Sequence, residues 1–188
     1  MTSLLKIFLV LISLTAPAAY AAPVAYRLDA DKSQVGFGFS MQGSKVNGTM
    51  PISDADIVLD LDNIPASQVK VTLSAKNARA GMIFVTQTMK GPNVLDTARH
   101  PAIQFTSTRI VGDLSGAQVH GNLTIRGTTR PATLQASLFR ARGTSENSRD
   151  QLVILLTGTI SRAAFKADGF PGFVGDEISL RIVAHIKK

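Results

Sequence analysis

Between Ala117 and Leu138 the chain reads AQVHGNLTIRGTTRPATLQASL, and apolar residues recur there at alternate positions. Val119, Leu123 and Ile125 share one parity, while His120, Asn122 and Thr124 share the other. After a turn expected at Gly127-Thr128, Ala132, Leu134, Ala136 and Leu138 again fall on one face. A period of two is the repeat of a strand with one buried and one wet face. A helix would scatter the same residues around its circumference. The segment therefore reads as a hairpin. An isolated hairpin is marginal in water, so further strands have to cover its apolar side.

The rest of the chain supplies them. Tyr26 and Leu28 open the pattern before a turn at Asp29–Ser33. In Gln34–Ser40, Val35, Phe37 and Phe39 share one face, and Gly36 and Gly38 the other. Lys45–Met50 reads as a short strand and Pro51–Asp54 as a turn. Ile57, Leu59 and Leu61 alternate with Val58 and Asp60, and Val69, Val71 and Leu73 with Lys70 and Thr72. Ile103 and Phe105 precede the hairpin; Leu152, Ile154 and Leu156, then Ile178 to Ile186, follow it. Arg140–Asp150 is a polar loop. Eight to ten short strands at this spacing suit a barrel or a sandwich. Two stretches break the rhythm. Ala75–Ala98 holds Met82, Phe84, Val85 and Met89 in the spacing of a short helix or irregular crossover. Ala163–Asp176 sets Phe165, Phe170 and Phe173 among Gly169, Pro171, Gly172 and Gly175, as a barrel plug or as a lid over a portal.

Residues 1–21 stand apart. Lys6, the apolar run Ile7–Leu14 and Ala19-Tyr20-Ala21 form a secretory signal with its cut after Ala21. The run is short of the ~20 residues that span a bilayer. A membrane anchor is the other reading, disfavoured by the Ala-rich end and the missing polar stop. Cleavage leaves 167 of 188 residues, enough for one domain, and lowers the formal charge from +7 to +6. The chain has no Cys, so its core alone must hold it and no lipid-modified Cys is expected. The mature chain is expected to be soluble, with no stable membrane span.

Familiar chemistry is sparse. Lys and Arg are dispersed, and two Tyr with no Trp leave little for base stacking, so no nucleic-acid groove is expected. Such a basic surface suits transient contact with anionic membranes. His100, His120 and His185 have no metal-ligand spacing, and no metal is expected. The chain lacks a G-x-S-x-G elbow and a P-loop. Asp54, Asp56, Asp60 and Asp62 read as polar-face and turn residues rather than a calcium loop. Asn47-Gly48-Thr49 and Asn122-Leu123-Thr124 match glycosylation sequons of low specificity.

Four blocks taken in order resemble the YceI family of bacterial periplasmic proteins. They are Tyr26-x-Leu28-Asp29 with Ser33-x-Val35-x-Phe37; Leu95-Asp96-x-x-x-His100-Pro101-x-Ile103-x-Phe105; Gly121-x-Leu123-Thr124-Ile125-x-Gly127-x-Thr129-x-Pro131; and Ile160-Ser161-Arg162-x-x-Phe165 with Val174-Gly175-Asp176-Glu177-Ile178. The resemblance implies an all-β fold: an antiparallel, lipocalin-like closed barrel of about eight strands with one short helix or irregular crossover, in a single domain over 22–188. It also implies a long apolar amphiphile, a polyprenyl or quinone-like chain, bound in a hydrophobic cavity. The protein would be a periplasmic binder or carrier, without catalysis and without a cofactor other than such a lipid. Strand parity and loop composition nominate Phe37, Phe39, Val71, Phe84, Met89, Phe105, Leu123, Ile125, Phe165, Phe170 and Phe173 as cavity lining. The alternative is a structural or stress-related interaction barrel with a filled core, whose outer patch would gather Arg126, Arg130 and Arg162. A homodimer through an exposed edge strand at Glu177–Ile186 is a further expectation.

The chain also departs from the family pattern. Met41 stands near a position that often carries His, and Val85-Thr86-Gln87-Thr88-Met89 replaces a charged Arg-Asp-x-His-Leu block. Both changes imply a less polar cavity and weaken any inherited recognition of a head group.

Overall fold

The computed structural model describes residues 22–145 and 148–188; the expected signal segment, 1–21, lies outside them. Its strands are β1 (Val24–Leu28), β2 (Gln34–Met41), β3 (Ser44–Met50), β4 (Ile52–Leu59), β5 (Gln68–Ser74), β6 (Arg79–Ala80), β7 (Ala102–Asp113), β8 (Gly116–Ile125), β9 (Thr128–Arg140), β10 (Gln151–Ser161) and β11 (Glu177–Lys187). Among the described residues one α-helix, α1 (Ile83–Lys90), stands in the crossover between β6 and β7. Every pairing is antiparallel. The order β1-β4-β5-β7-β8-β9-β10-β11 closes through a β1–β11 pair, giving an eight-stranded barrel.

Two of the eight staves are composite. β11 pairs with β1 at Ile186 and Lys187 but with β2 from Ser179 to Val183. β1 and β2 therefore follow one another along the same edge. β3 and β4 do likewise, β3 against β2 and β4 against β1. The break between them is Pro51, which has no N–H to give the ladder. A register shift between Ile52 and Asp54 marks the bend. The turn expected over Pro51–Asp54 is thus one residue, because β4 resumes at Ile52.

The strand expected to be a free edge is interior. β11 is held by β10 along its whole length on one side and by β2 and β1 on the other. Closure uses up both of its ladders, so Glu177–Ile186 has no edge to offer a second copy.

The hairpin joins β8 to β9, with Ile125 opposite Thr128. Its turn is Arg126-Gly127, one residue earlier than the pattern suggests. Both residues have positive φ, 49° and 69°, the type I′ geometry whose twist matches the strands. The His100 ring lies against Gly127, where a Cβ would come within 2.9 Å of Cε1.

Strand direction sorts the connections to two ends. One end holds the β2–β3 turn, the segment from β5 through α1 to β7, the Arg126-Gly127 turn and the loop from β10 to β11. At the other lie the β7–β8 and β9–β10 connections and Asp60–Ser67. Asp60 is buried there, accepting hydrogen bonds on Oδ1 from the amides of Asp62 and Asn63. Ile64 of this segment packs against the β7–β11 wall.

Candidate functional site

A barrel of eight strands leaves an interior just wide enough for side chains or one small ligand. Here the interior is open, with a cavity of about 580 Å³. That lies inside the ~300–1,000 Å³ range of sites for ligands of drug size. Its wall runs the length of the barrel, from Leu61, Ile64 and Leu138 at one end to Met41, Phe84 and Phe173 at the other. The filled core of the alternative reading is not what the inward parity builds.

Glycine explains how an interior rich in Phe stays open. A Cβ on Gly121 would lie 2.4 Å from Phe105 Cζ, and one on Gly48 would lie 2.3 Å from Phe37 Cζ. Each ring therefore leans across the neighbouring strand onto bare backbone instead of standing into the bore. The Phe37 and Phe39 rings stack, with centroids 6.4 Å apart.

All eleven nominated residues border this cavity: Phe37 and Phe39 on β2, Val71 on β5, Phe84 and Met89 on α1, Phe105 on β7, Leu123 and Ile125 on β8, and Phe165, Phe170 and Phe173 on the β10–β11 loop. Burial divides them. Phe165 is 2% exposed and belongs to the core cluster with Met89, Leu123 and Ile125. Phe84, Phe170 and Phe173 remain 56%, 43% and 61% exposed. The loop thus does both things its composition allowed: one Phe plugs the end, and two stay at the mouth.

Strand parity also reaches residues not nominated, among them Ala136 on β9, Ile154 on β10 and Ile182 on β11. The two departures from the family pattern fall on the wall as well. Met41 lines it, as do Val85, Thr88 and Met89 on the inward face of α1. Thr86 turns the other way, its hydroxyl donating to the Ala80 carbonyl and accepting from the Ala80 amide.

Arg162 is the largest correction. It was expected on an outer patch, but its residue is buried. Nε donates to Gly175 O at 2.9 Å, one terminal nitrogen to Ala167 O at 2.7 Å and Gly169 O at 2.8 Å, and the other to Val174 O at 2.8 Å. Its place in the Ile160-Ser161-Arg162-x-x-Phe165 block set it apart from the dispersed bases, but the sequence does not show partners that are all main-chain carbonyls. Arg126 also serves the loops, donating to the carbonyls of Lys166 and Pro92. Without Arg162, the expected outer patch reduces to Arg126 and Arg130.

Through Arg162 the β10–β11 loop is drawn into a closed strap. The strap then grips both sides of the mouth. Gln42 N donates to Phe173 O at 2.9 Å and Gly175 N to Ser40 O at 2.9 Å, while Gly169 N reaches Asn93 O at 3.0 Å. Asp176 closes the base by accepting from the Ala163 amide at 2.8 Å. Hydrogen bonding from the Ser161 hydroxyl and the Ala163 amide, with the Arg162 charge nearby, holds the Asp176 carboxyl below its ordinary value.

Polar groups on the wall are few. Besides Arg162, they include Gln42, Thr88, Ser137 and Asp113. Asp113 accepts from the Ser115 hydroxyl and amide of its own turn, and these bonds lower its pKa. Among the described residues, no three His, Asp or Glu side chains gather as a metal site.

Comparison with known proteins agrees with this geometry. A YceI-like domain model matches residues 26–186. Protein YceI of Escherichia coli O17:K52:H18 is 29% identical over 130 residues, 68% of each chain. Its counterpart in Salmonella arizonae is 28% identical over 122 residues, 63% of this chain and 64% of that one. Among solved structures, Burkholderia cenocepacia BcnA superposes with a TM-score of 0.75 at 18% identity, covering 85% of this chain and 99% of its own. A YCEI protein of Campylobacter jejuni gives 0.63 at 22% identity, over 79% and 88%.

Proposed function

This chain belongs to the YceI-like family, and we propose that it sequesters or carries a long isoprenoid-like amphiphile, a polyprenyl or quinone-type chain, in the periplasm. The observation that carries the proposal is an open bore walled by hydrocarbon from end to end. Burying one CH₂ is worth ~0.8 kcal/mol, so an isoprene unit contributes roughly 3–4 kcal/mol before ordering costs. A chain of several units thus binds without a charged anchor.

The polar groups support an uncharged ligand. A fatty-acid carboxylate would need a free cation at the wall. Arg162 commits four of its five N–H groups to loop carbonyls, and Gln42 and Thr88 are neutral. Binding rather than catalysis fits as well, since Asp113 and Arg162 are the ionisable lining groups and both are engaged structurally. The periplasmic assignment rests on the signal read in residues 1–21.

Native mass spectrometry of protein purified from its own host without detergent, followed by solvent extraction, tests the proposal. A prenyl chain of defined mass is expected. Protein that emerges free of lipid and also takes up no added polyprenol or quinone refutes it.

A further inference from the structure

We propose that the strap-and-helix end of the barrel is a membrane-docking face, which seats the cavity mouth on an anionic lipid surface for loading and release. The inference rests on the lipid reading of the cavity and adds the partner from which the lipid comes.

Five large apolar side chains stand out of this end. Met82 is 60% exposed and Ile83 80%, and they run straight into Phe84; Phe170 and Phe173, on the strap at the same end, are exposed too. Phe84, Phe170 and Phe173 also border the cavity, whereas Met82 and Ile83 do not. The apolar surface is therefore continuous from the bore to the outside. Adjacent exposed apolar side chains of this kind mark a contact surface. Val111, Leu114 and Phe139, also exposed, belong to the opposite end and do not line this cavity.

Charge indicates which surface is met. Leaving out the buried Arg162 and Asp96, the connections at the mouth end, residues 42–45, 75–101, 126–130 and 161–177, carry eight Lys and Arg against three Asp and Glu, a net of +5. Most of the net formal charge of the chain is thus carried by the connections at this end. Exposed apolar side chains on an end of net positive charge match the acyl boundary and head groups of an anionic leaflet. A protein partner would not require the rim to be continuous with the bore, whereas transfer of a water-insoluble chain does.

Flotation with phosphatidylcholine vesicles, with and without about one-third phosphatidylglycerol, tests this. The native chain is expected to float with the anionic vesicles and to dissociate as NaCl rises from about 0.05 to about 0.5 M. M82S/I83S should weaken vesicle binding about tenfold or more. Uptake of the apolar fluorophore N-phenyl-1-naphthylamine should be unchanged, since neither residue lines the cavity. Absence of native binding to either vesicle, or equal binding by the variant, overturns the proposal. So does a concentration-dependent dimer that M82S/I83S abolishes, because the rim would then be covered by a second copy. If vesicles are bound but the fluorophore is not taken up, docking stands and the lipid-cavity reading fails.

Discussion

Replacing Arg162 by Met tests how the mouth of the barrel is held together. The guanidinium makes four hydrogen bonds of 2.7–2.9 Å to carbonyls spread over residues 167–175. A bond involving a charged group contributes ~1.5–3 kcal/mol, which places a ceiling near 6–12 kcal/mol on the four. Two effects reduce it. Removing the charge relieves the cost of burying it, and the strap can move so that water satisfies its carbonyls. A net loss of about 3–5 kcal/mol remains. For a domain of this size, at ~2–4 °C per kcal/mol, the melting temperature should fall by about 6–20 °C. Arg162→Lys should recover less than half, because one ammonium cannot reach carbonyls that Arg162 meets from three nitrogens.

The loss should also be local. Hydrogen exchange should accelerate at Gln42, Gly169 and Gly175, whose amides tie the strap to both sides of the mouth. Amides in the β8–β9 ladder should keep their protection relative to global unfolding. Thermal melting with exchange mass spectrometry reads both effects. A melting temperature within about 2 °C of the native protein, or loosening spread evenly over the barrel, would refute the reasoning.

Three other perturbations probe the same architecture. Gly121→Ala places a methyl 2.4 Å from Phe105 Cζ and 2.5 Å from the Thr106 carbonyl, so denaturant titration should show a loss of about 2–3 kcal/mol; a loss below about 0.5 contradicts the wall packing. Ala136→Phe points a ring into the bore and should cut uptake of a prenyl chain severalfold, with a stability change under about 1.5 kcal/mol because space exists for it; unaltered uptake speaks against the bore as the site. The pH dependence of the strap follows from Asp176. Its folded pKa lies below the ordinary 3.8, so its contribution is present above that value and is lost as pH falls through the folded pKa. Limited proteolysis of the strap should rise below about pH 4 in the native chain and change far less in Asp176→Asn, which lacks the titrating acid; identical profiles for the two contradict this.

Alternation alone made the strands readable, because a residue's parity decides its side of a closed sheet whatever its partner. Hence β2, β5, β8 and β9 run close to the segments the pattern marks out, and their inward residues line the bore. Boundaries slipped where backbone chemistry acts over one residue. Pro51 ends a ladder in a single step, and Arg126-Gly127 satisfies a turn that needs two positive φ values. Parity could not say whether inward side chains fill or merely line a barrel. That depends on where a ring on one strand meets a neighbour on another, as Phe105 meets Gly121 and Phe37 meets Gly48.

The irregular segments were the least readable. Phe165, Phe170 and Phe173 look equivalent in sequence, yet one is core and two are rim. Arg162 stands in a motif block, yet that it is buried and organises the strap emerges only when the chain folds back on it. The sequence by itself determined the strands and the apolar character of their inward faces, which follow from local period and residue type, while its four motif blocks carried the resemblance that implied the family and its closed antiparallel barrel. Tertiary structure decided that the interior is hollow, that β11 has no free edge, and that apolar side chains crowd the mouth. Each of those depends on distances between residues far apart in the chain, which no local pattern records.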